Sequence, residues 1–147
     1  MNKLITIDPG KTIGLACFES GELVSVDEHK PKRLLDAARF IALCCPYIPF
    51  DLAIELPQVY PVQRWKGDPN DLITVALQAG VILGAVYAYI ATLYIIKPSE
   101  WKGSTPKAIS KERTLAKLTA GERAHVQKKS STHIMDAIGL GLWILNR

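Results

Sequence analysis

The chain has 147 residues, enough for one domain with a buried core and too few for two nucleotide-binding lobes with a cleft between them. With 48% apolar and 22% charged residues it is neither a disordered nor a collagen-like sequence, and three cysteines without a C-x-x-C spacing argue against a disulfide framework or a cysteine zinc site. The net charge of +4 is uneven: residues 97–129 hold nine Lys or Arg against three acids, +6, leaving −2 elsewhere, which reads as a polyanion-binding face or a solvated basic helix.

Residues 3–8 read as a strand that ends on Asp8, and residues 12–18 as a second strand. Glu19-Ser20-Gly21-Glu22 supplies a tight turn, so residues 23–27 pair back as a third strand. Pro31 is expected to open a helix in which Leu34, Leu35, Ala38, Ile41 and Ala42 keep helical spacing, and Pro46 to stop it. Residues 51–56 form a fourth strand with Glu55 near its end. The loop of about fourteen residues that follows is long for a compact domain, a length often tied to function. Its Gly67-Asp68-Pro69-Asn70 is turn and cap chemistry.

Residues 72–96 carry no charge, which admits a membrane span. Gln78, Gly80 and Gly84 interrupt the run, and Thr92-Leu93-Tyr94-Ile95-Ile96 has strand character, so a helix at about 71–90 and a strand at about 92–97 are the better reading. A helix apolar on every face needs more cover than a small core gives, and a homodimer through the 71–90 helix would supply it. A loop at 98–105, a helix from Pro106 to about 119, a break at Gly121 and a last helix at 131–146, capped by Ser130 or Ser131, complete the chain. Trp143 is expected in the core, and His29 and His125 in solvent. Cys17, Cys44 and Cys45 read as small buried hydrophobes of a reducing, cytoplasmic compartment, and Asp8-Pro9-Gly10 interrupts the first apolar stretch as no secretory signal would. The order βββ-α-β-α-β-α-α predicts one α/β domain over 1–147, with a mixed five-stranded sheet, an antiparallel meander first, and helices on both faces.

Three acids lie in apolar runs: Asp8 after Leu4-Ile5-Thr6-Ile7, Glu55 after Leu52-Ala53-Ile54, and Asp136 within Ile134-Met135-Asp136-Ala137-Ile138. A carboxylate in such a run is costly unless paired or metal-bound. His133 and Asp136 stand three apart and share a helix face. Hard oxygen donors with open water positions suit Mg²⁺ or Mn²⁺, and two such ions about 4 Å apart activate water against a phosphodiester. Singly, each acid is also compatible with a turn starter, a lysine pair or a helix-surface charge. His133 is either a ligand or proton carrier, or a cap.

Ile5-Thr6-Ile7-Asp8-Pro9-Gly10 followed by Thr12-Ile13-Gly14-Leu15-Ala16 resembles the opening motif of the RuvC family of Holliday-junction resolvases. Ala53-Ile54-Glu55 resembles its second acidic motif, and His133-Ile134-Met135-Asp136-Ala137-Ile138-Gly139-Leu140 its C-terminal helix motif. The resemblance covers nearly the whole chain, implies the RNase H-like fold, and at this size is nearest the phage-encoded branch. It implies a homodimeric endonuclease that nicks four-way DNA junctions symmetrically with Mg²⁺ or Mn²⁺, two per site. Asp8, Glu55 and Asp136 would hold metal. His133 falls where many members carry a further aspartate, which leaves open a ligand or a group that orients or deprotonates water. Trp101-Lys102-Gly103 and Pro106-Lys107 resemble the family's lysine-bearing loop and helix start, so Lys102 and Lys107, with Lys111 as the alternate, would contact phosphates. In the loop after Glu55, Tyr60 or Trp65 would probe the junction centre by stacking, with Arg64 and Lys66 making the loop basic.

Three other functions fit parts of this pattern. A pre-ribosomal RNA processing nuclease shares the first strand motif and an acidic last helix. A catalytically silent branched-DNA-binding module would keep the fold without needing the acids. A sugar-kinase or actin-like phosphate loop shares Asp8-x-Gly10 but needs a second lobe.

Overall fold

The computed structural model describes residues 3–45, 47–59, 67–126 and 130–147. β1 (Lys3–Asp8), β2 (Ile13–Glu19) and β3 (Glu22–His29) form an antiparallel meander, turned at Ser20 and Gly21, both of which adopt positive φ. β4 (Phe50–Glu55) and β5 (Ile90–Ile96) run parallel to β1, giving the order β3-β2-β1-β4-β5. This is the expected mixed sheet.

Strand alternation divides the molecule into two layers. Ile5 and Ile7 of β1 and Leu52 and Ile54 of β4 pack with Ala37 and Ile41 of α1 (Leu34–Cys44) and with Ala79, Ile82 and Val86 of α2 (Pro69–Val86). Leu4, Ala16, Phe18 and Ala53 face the other way, onto α6 (Thr132–Ile144). Thr6 shares that face, and its buried hydroxyl donates to the Ala137 carbonyl at 2.6 Å. Gly14 lets α6 sit directly on the sheet, because any Cβ there would collide with the His133 carbonyl and the Ile134 nitrogen.

Several boundaries differ from expectation for identifiable reasons. α1 begins at Leu34 rather than at Pro31, since Asp36 reaches back to accept from the Arg33 N–H at 3.0 Å. Its buried face is Ala37 and Ile41, and Leu35 points to solvent. α2 starts at Pro69, where Asp68 accepts from the Asn70 N–H, and after Val86 it tightens into a 3-10 turn, Tyr87–Tyr89. The 98–105 segment is not all loop, because Pro98–Trp101 forms a short helix, α3, with Glu100 accepting from the Lys97 N–H. α4 spans Lys107–Lys117. Gly121 does not break the chain. It lies inside α5 (Ala120–Ala124), which the reciprocal bonds of Thr119 and Glu122 start as a capping box. Ser131 caps α6 by accepting from the Ile134 N–H. Trp143 is 40% exposed rather than core. His29 is half-buried and stacks on Phe40 at 5.0 Å, while His125 is exposed.

The segment Pro69–Tyr89 is long and apolar enough to cross a membrane by length and composition alone. One side of it packs on α1 and the sheet through Ala79, Ile82 and Val86, whereas Ile73, Leu77 and Tyr87 are exposed. Pro46, Tyr60, Arg64, Trp65 and Lys66, and the 127–129 stretch with Lys128 and Lys129, lie outside the described residues.

Candidate active site

The parallel register pairs Ile7 with Ile54, so Asp8 and Glu55, next along each strand, end side by side at the C-terminal edge of the sheet. Both follow the Thr6/Ala53 parity and therefore face α6. There the first turn and a half of α6 brings His133 and Asp136 to the same edge. The four predicted residues thus come together, each by backbone placement rather than by side-chain reach.

They are joined in two groups. His133 Nδ1 lies 2.7 Å from Asp8 Oδ2, the ring N–H donating to the carboxylate. The Lys102 ammonium bridges the other two acids, 3.1–3.2 Å from the Glu55 oxygens and 2.9 Å from Asp136 Oδ2. Lys102 reaches in from the end of α3. It is turned onto the carboxylates rather than out towards a ligand. Trp101, its neighbour, donates its indole N–H to Glu55 Oε2 at 2.7 Å, and the ammonium sits 4.9 Å from the indole ring centre.

Burial pushes the Asp8 carboxyl above its ordinary value, against the hydrogen bond from His133, and the nearby Asp136 charge adds to the rise. Burial raises Glu55 as well, opposed by Lys102. The bond to Asp8 holds His133 above the usual imidazole range despite burial. For Lys102, burial works to lower the pKa, but the carboxylates of Glu55 and Asp136 outweigh it and hold the ammonium charged. The site is therefore a compact, partly buried set of three carboxylates whose charge is only partly offset by Lys102 and His133.

Among the described residues, no three His, Cys, Asp or Glu side chains converge tightly enough to hold an ion. Glu55 and Asp136 are held instead by the Lys102 ammonium. The donors are nonetheless three carboxylates and one imidazole at one sheet edge, with a cation between two of the acids, a set that would suit a hard divalent ion.

Two side chains that the sequence reading names without giving them a role hold parts of the site in place. Trp101 orients Glu55. Gln78, buried on α2, holds the Gly10 backbone in the turn that follows Asp8. The Trp101-Lys102 pair was visible as a motif, whereas Gln78 looked only like a polar interruption. An open cleft of about 670 Å³ runs from His133 past Gly10, Gln78, Lys11 and Lys32. Lys107 at the start of α4 is near enough for its charge to act on His133, and Lys111 Nζ lies 3.5 Å from the Ser130 carbonyl at the foot of α6. The basic helix thus borders the site.

No family model matches the sequence, and no curated protein matches it. Among solved structures, the fold is similar to that of T. thermophilus RuvC in complex with Holliday junction substrate, with a TM-score of 0.65 and 16% identity, over 97% of this chain and 91% of that one. By fold, this chain is RuvC-like, with the mixed five-stranded sheet and flanking helices of the RNase H-like class.

Proposed function

We propose that this chain is a single-domain, structure-selective endonuclease that resolves four-way DNA junctions by metal-dependent phosphodiester hydrolysis. The observation that carries this is the meeting of Asp8, Glu55, Asp136 and His133 at one sheet edge of a RuvC-like fold. Asp8, Glu55 and Asp136 would hold Mg²⁺ or Mn²⁺, and the ions would supply an activated water and stabilisation of the leaving oxygen.

The protein's own groups have separable tasks in this reading. His133, fixed through Nδ1 by Asp8, keeps its imidazole at the site and takes or gives a proton there. Trp101 fixes the Glu55 carboxylate. Lys102 pairs with Glu55 and Asp136 and would be free to contact a phosphate if an ion took its place between them. Lys107 and Lys111 extend positive charge along α4 and bind the DNA backbone without reading sequence. Tyr60 or Trp65 stacks at the junction centre, flanked by Arg64 and Lys66.

Symmetric nicking needs two sites, and a homodimer through α2 provides them. The support is the uncovered stripe of Ile73 and Leu77, with open space over Gly80 and Gly84. A cytoplasmic location follows from the substrate.

The test is a gel assay on a synthetic four-way junction with Mg²⁺, Mn²⁺ or EDTA, beside linear duplex and an RNA hairpin. Paired symmetric nicks in the junction alone, lost in EDTA, are expected. Binding without nicking under either metal would instead indicate the silent module, and hairpin cleavage an RNA-processing enzyme.

A further inference from the structure

The turn between β1 and β2 carries Asp8 at its start and has no regular structure over residues 9–12. Its position depends on what it is tied to. Gln78 supplies the tie: its side-chain oxygen accepts from the Gly10 N–H at 2.8 Å, and its amide nitrogen donates to the Gly10 carbonyl at 3.2 Å. One carboxamide thus satisfies both backbone groups of one residue. The Gln78 side chain is buried, while Gly10 and the two bonds lie part-buried at the edge of the cleft beside His133. A second link from α2 to the same turn, Lys11 to Asp71 at 3.6 Å, is exposed and weak by comparison. Gln78 is a buried polar side chain within the apolar stretch of α2, where such a group needs a partner, and both of its side-chain hydrogen bonds go to the residue two positions after Asp8.

We infer that Gln78 is a positioning residue: by locking Gly10 to α2 it sets where the Asp8 carboxylate stands relative to α6. The inference rests on the nuclease reading for its consequence in catalysis, but its geometric content does not. Gln78 directs its side-chain hydrogen bonds to the Gly10 backbone and to none of Asp8, Glu55, His133 or Asp136. It acts through the Asp8-Pro9-Gly10 backbone. Because the same helix bears the bare stripe of Ile73 and Leu77, the element that would meet a second copy is also the one that holds the acid-bearing turn.

The test compares Gln78→Met, which keeps length and bulk but loses both bonds, with Ile82→Ala, a core change on the same helix that leaves Gly10 untouched. Three quantities are read at a temperature where every protein is folded: Mn²⁺ affinity by titration calorimetry without DNA, junction affinity in EDTA, and single-turnover cleavage with Mn²⁺. For Gln78→Met the expected result is Mn²⁺ affinity lowered at least fivefold and cleavage lowered about 10- to 100-fold, with junction affinity within twofold of wild type. Ile82→Ala should change Mn²⁺ affinity and cleavage less than threefold, however much it lowers the melting temperature. Unchanged Mn²⁺ affinity in Gln78→Met, or equal losses in both variants, would overturn the assignment. If the wild type binds Mn²⁺ but cuts no junction, the nuclease reading fails while the Mn²⁺ comparison still decides the role of Gln78. A wild type that binds no Mn²⁺ overturns both.

Discussion

Replacing Lys102 with Met removes a charge and keeps the length of the side chain. Its ammonium now serves Glu55 and Asp136 together, and the three side chains are 20%, 11% and 17% exposed. Removing one partner of a fully buried ion pair costs about 3–5 kcal/mol. Partial exposure reduces this, and about 2–3 kcal/mol is the working figure. For a chain of this size each kcal/mol moves the melting temperature by roughly 2–4 °C. Lys102→Met should therefore melt about 4–12 °C lower than wild type in EDTA at pH 7. The deficit should shrink as pH falls, because burial already raises the Glu55 carboxyl and a protonated acid no longer needs a cation. Mn²⁺ should reverse the loss. An ion at 100 times its dissociation constant adds about 2.7 kcal/mol, close to what was removed. In the wild type an ion bound at the proposed site would first have to displace the ammonium, so the Mn²⁺-induced rise should be smaller. The assay is scanning calorimetry with and without Mn²⁺. A melting temperature equal to that of wild type in EDTA, or identical Mn²⁺ shifts in the two proteins, would refute the reasoning.

If Asp8 holds metal as proposed, Asp8→Asn should lower junction cleavage by at least 100-fold while junction affinity in EDTA stays within twofold, since the change removes a charge and little shape; loss of both in a gel-shift and nicking series would remove Asp8 from the proposed metal set. Glu122→Gln should destabilise by about 2 kcal/mol at pH 7, because the Glu122 carboxylate is hydrogen-bonded to Arg147 and to the Leu23 N–H. Its carboxyl is held far below the ordinary range, chiefly by Arg147, so its contribution is complete above about pH 4.3 and fades as pH falls below that. Urea melts of both proteins should converge on acidification, and a constant gap down to pH 3 would count against the pairing. Leu77→Asp should yield a monomer by sedimentation with a melting temperature, measured at low concentration, close to that of wild type, as Leu77 is exposed on α2. A variant that still sediments as a dimer would place the interface elsewhere.

The acids were legible in the sequence because each is fixed by local periodicity. Asp8 and Glu55 end runs of strand character, and His133 and Asp136 keep a helical three-residue spacing, so convergence required only the right sheet order. Lys102 was legible as a basic residue but not as their counter-ion, since a long side chain from a short helix reveals its direction only in three dimensions. Gln78 was hidden for a related reason: its work depends on α2 lying beside the β1–β2 turn. Trp143 was misplaced because α6 beyond Asp136 is apolar all round, and composition does not tell which side meets the sheet. Its glycines decide that, with the Phe18 ring against Gly141 and the Trp101 ring against Gly139. The α5 error came from weighing Gly121 above the Thr119–Glu122 capping signature, two reciprocal bonds against one flexible residue.

The parity that turns Thr6 and Asp8 towards α6 sets a rule for how β1 can change in length. Each single-residue insertion or deletion between Leu4 and Asp8 would exchange the two faces of the strand beyond it. Asp8 would then be driven in among the aliphatic side chains of α1 and α2, and Ile7 would be brought to the edge beside His133. Changes of two residues keep the acid on its side and move it along the strand by about 7 Å. Length variation among working versions of this strand should therefore come in even steps or be absorbed before Leu4, and an odd step inside it should be found only together with a bulge in β1 that restores the facing.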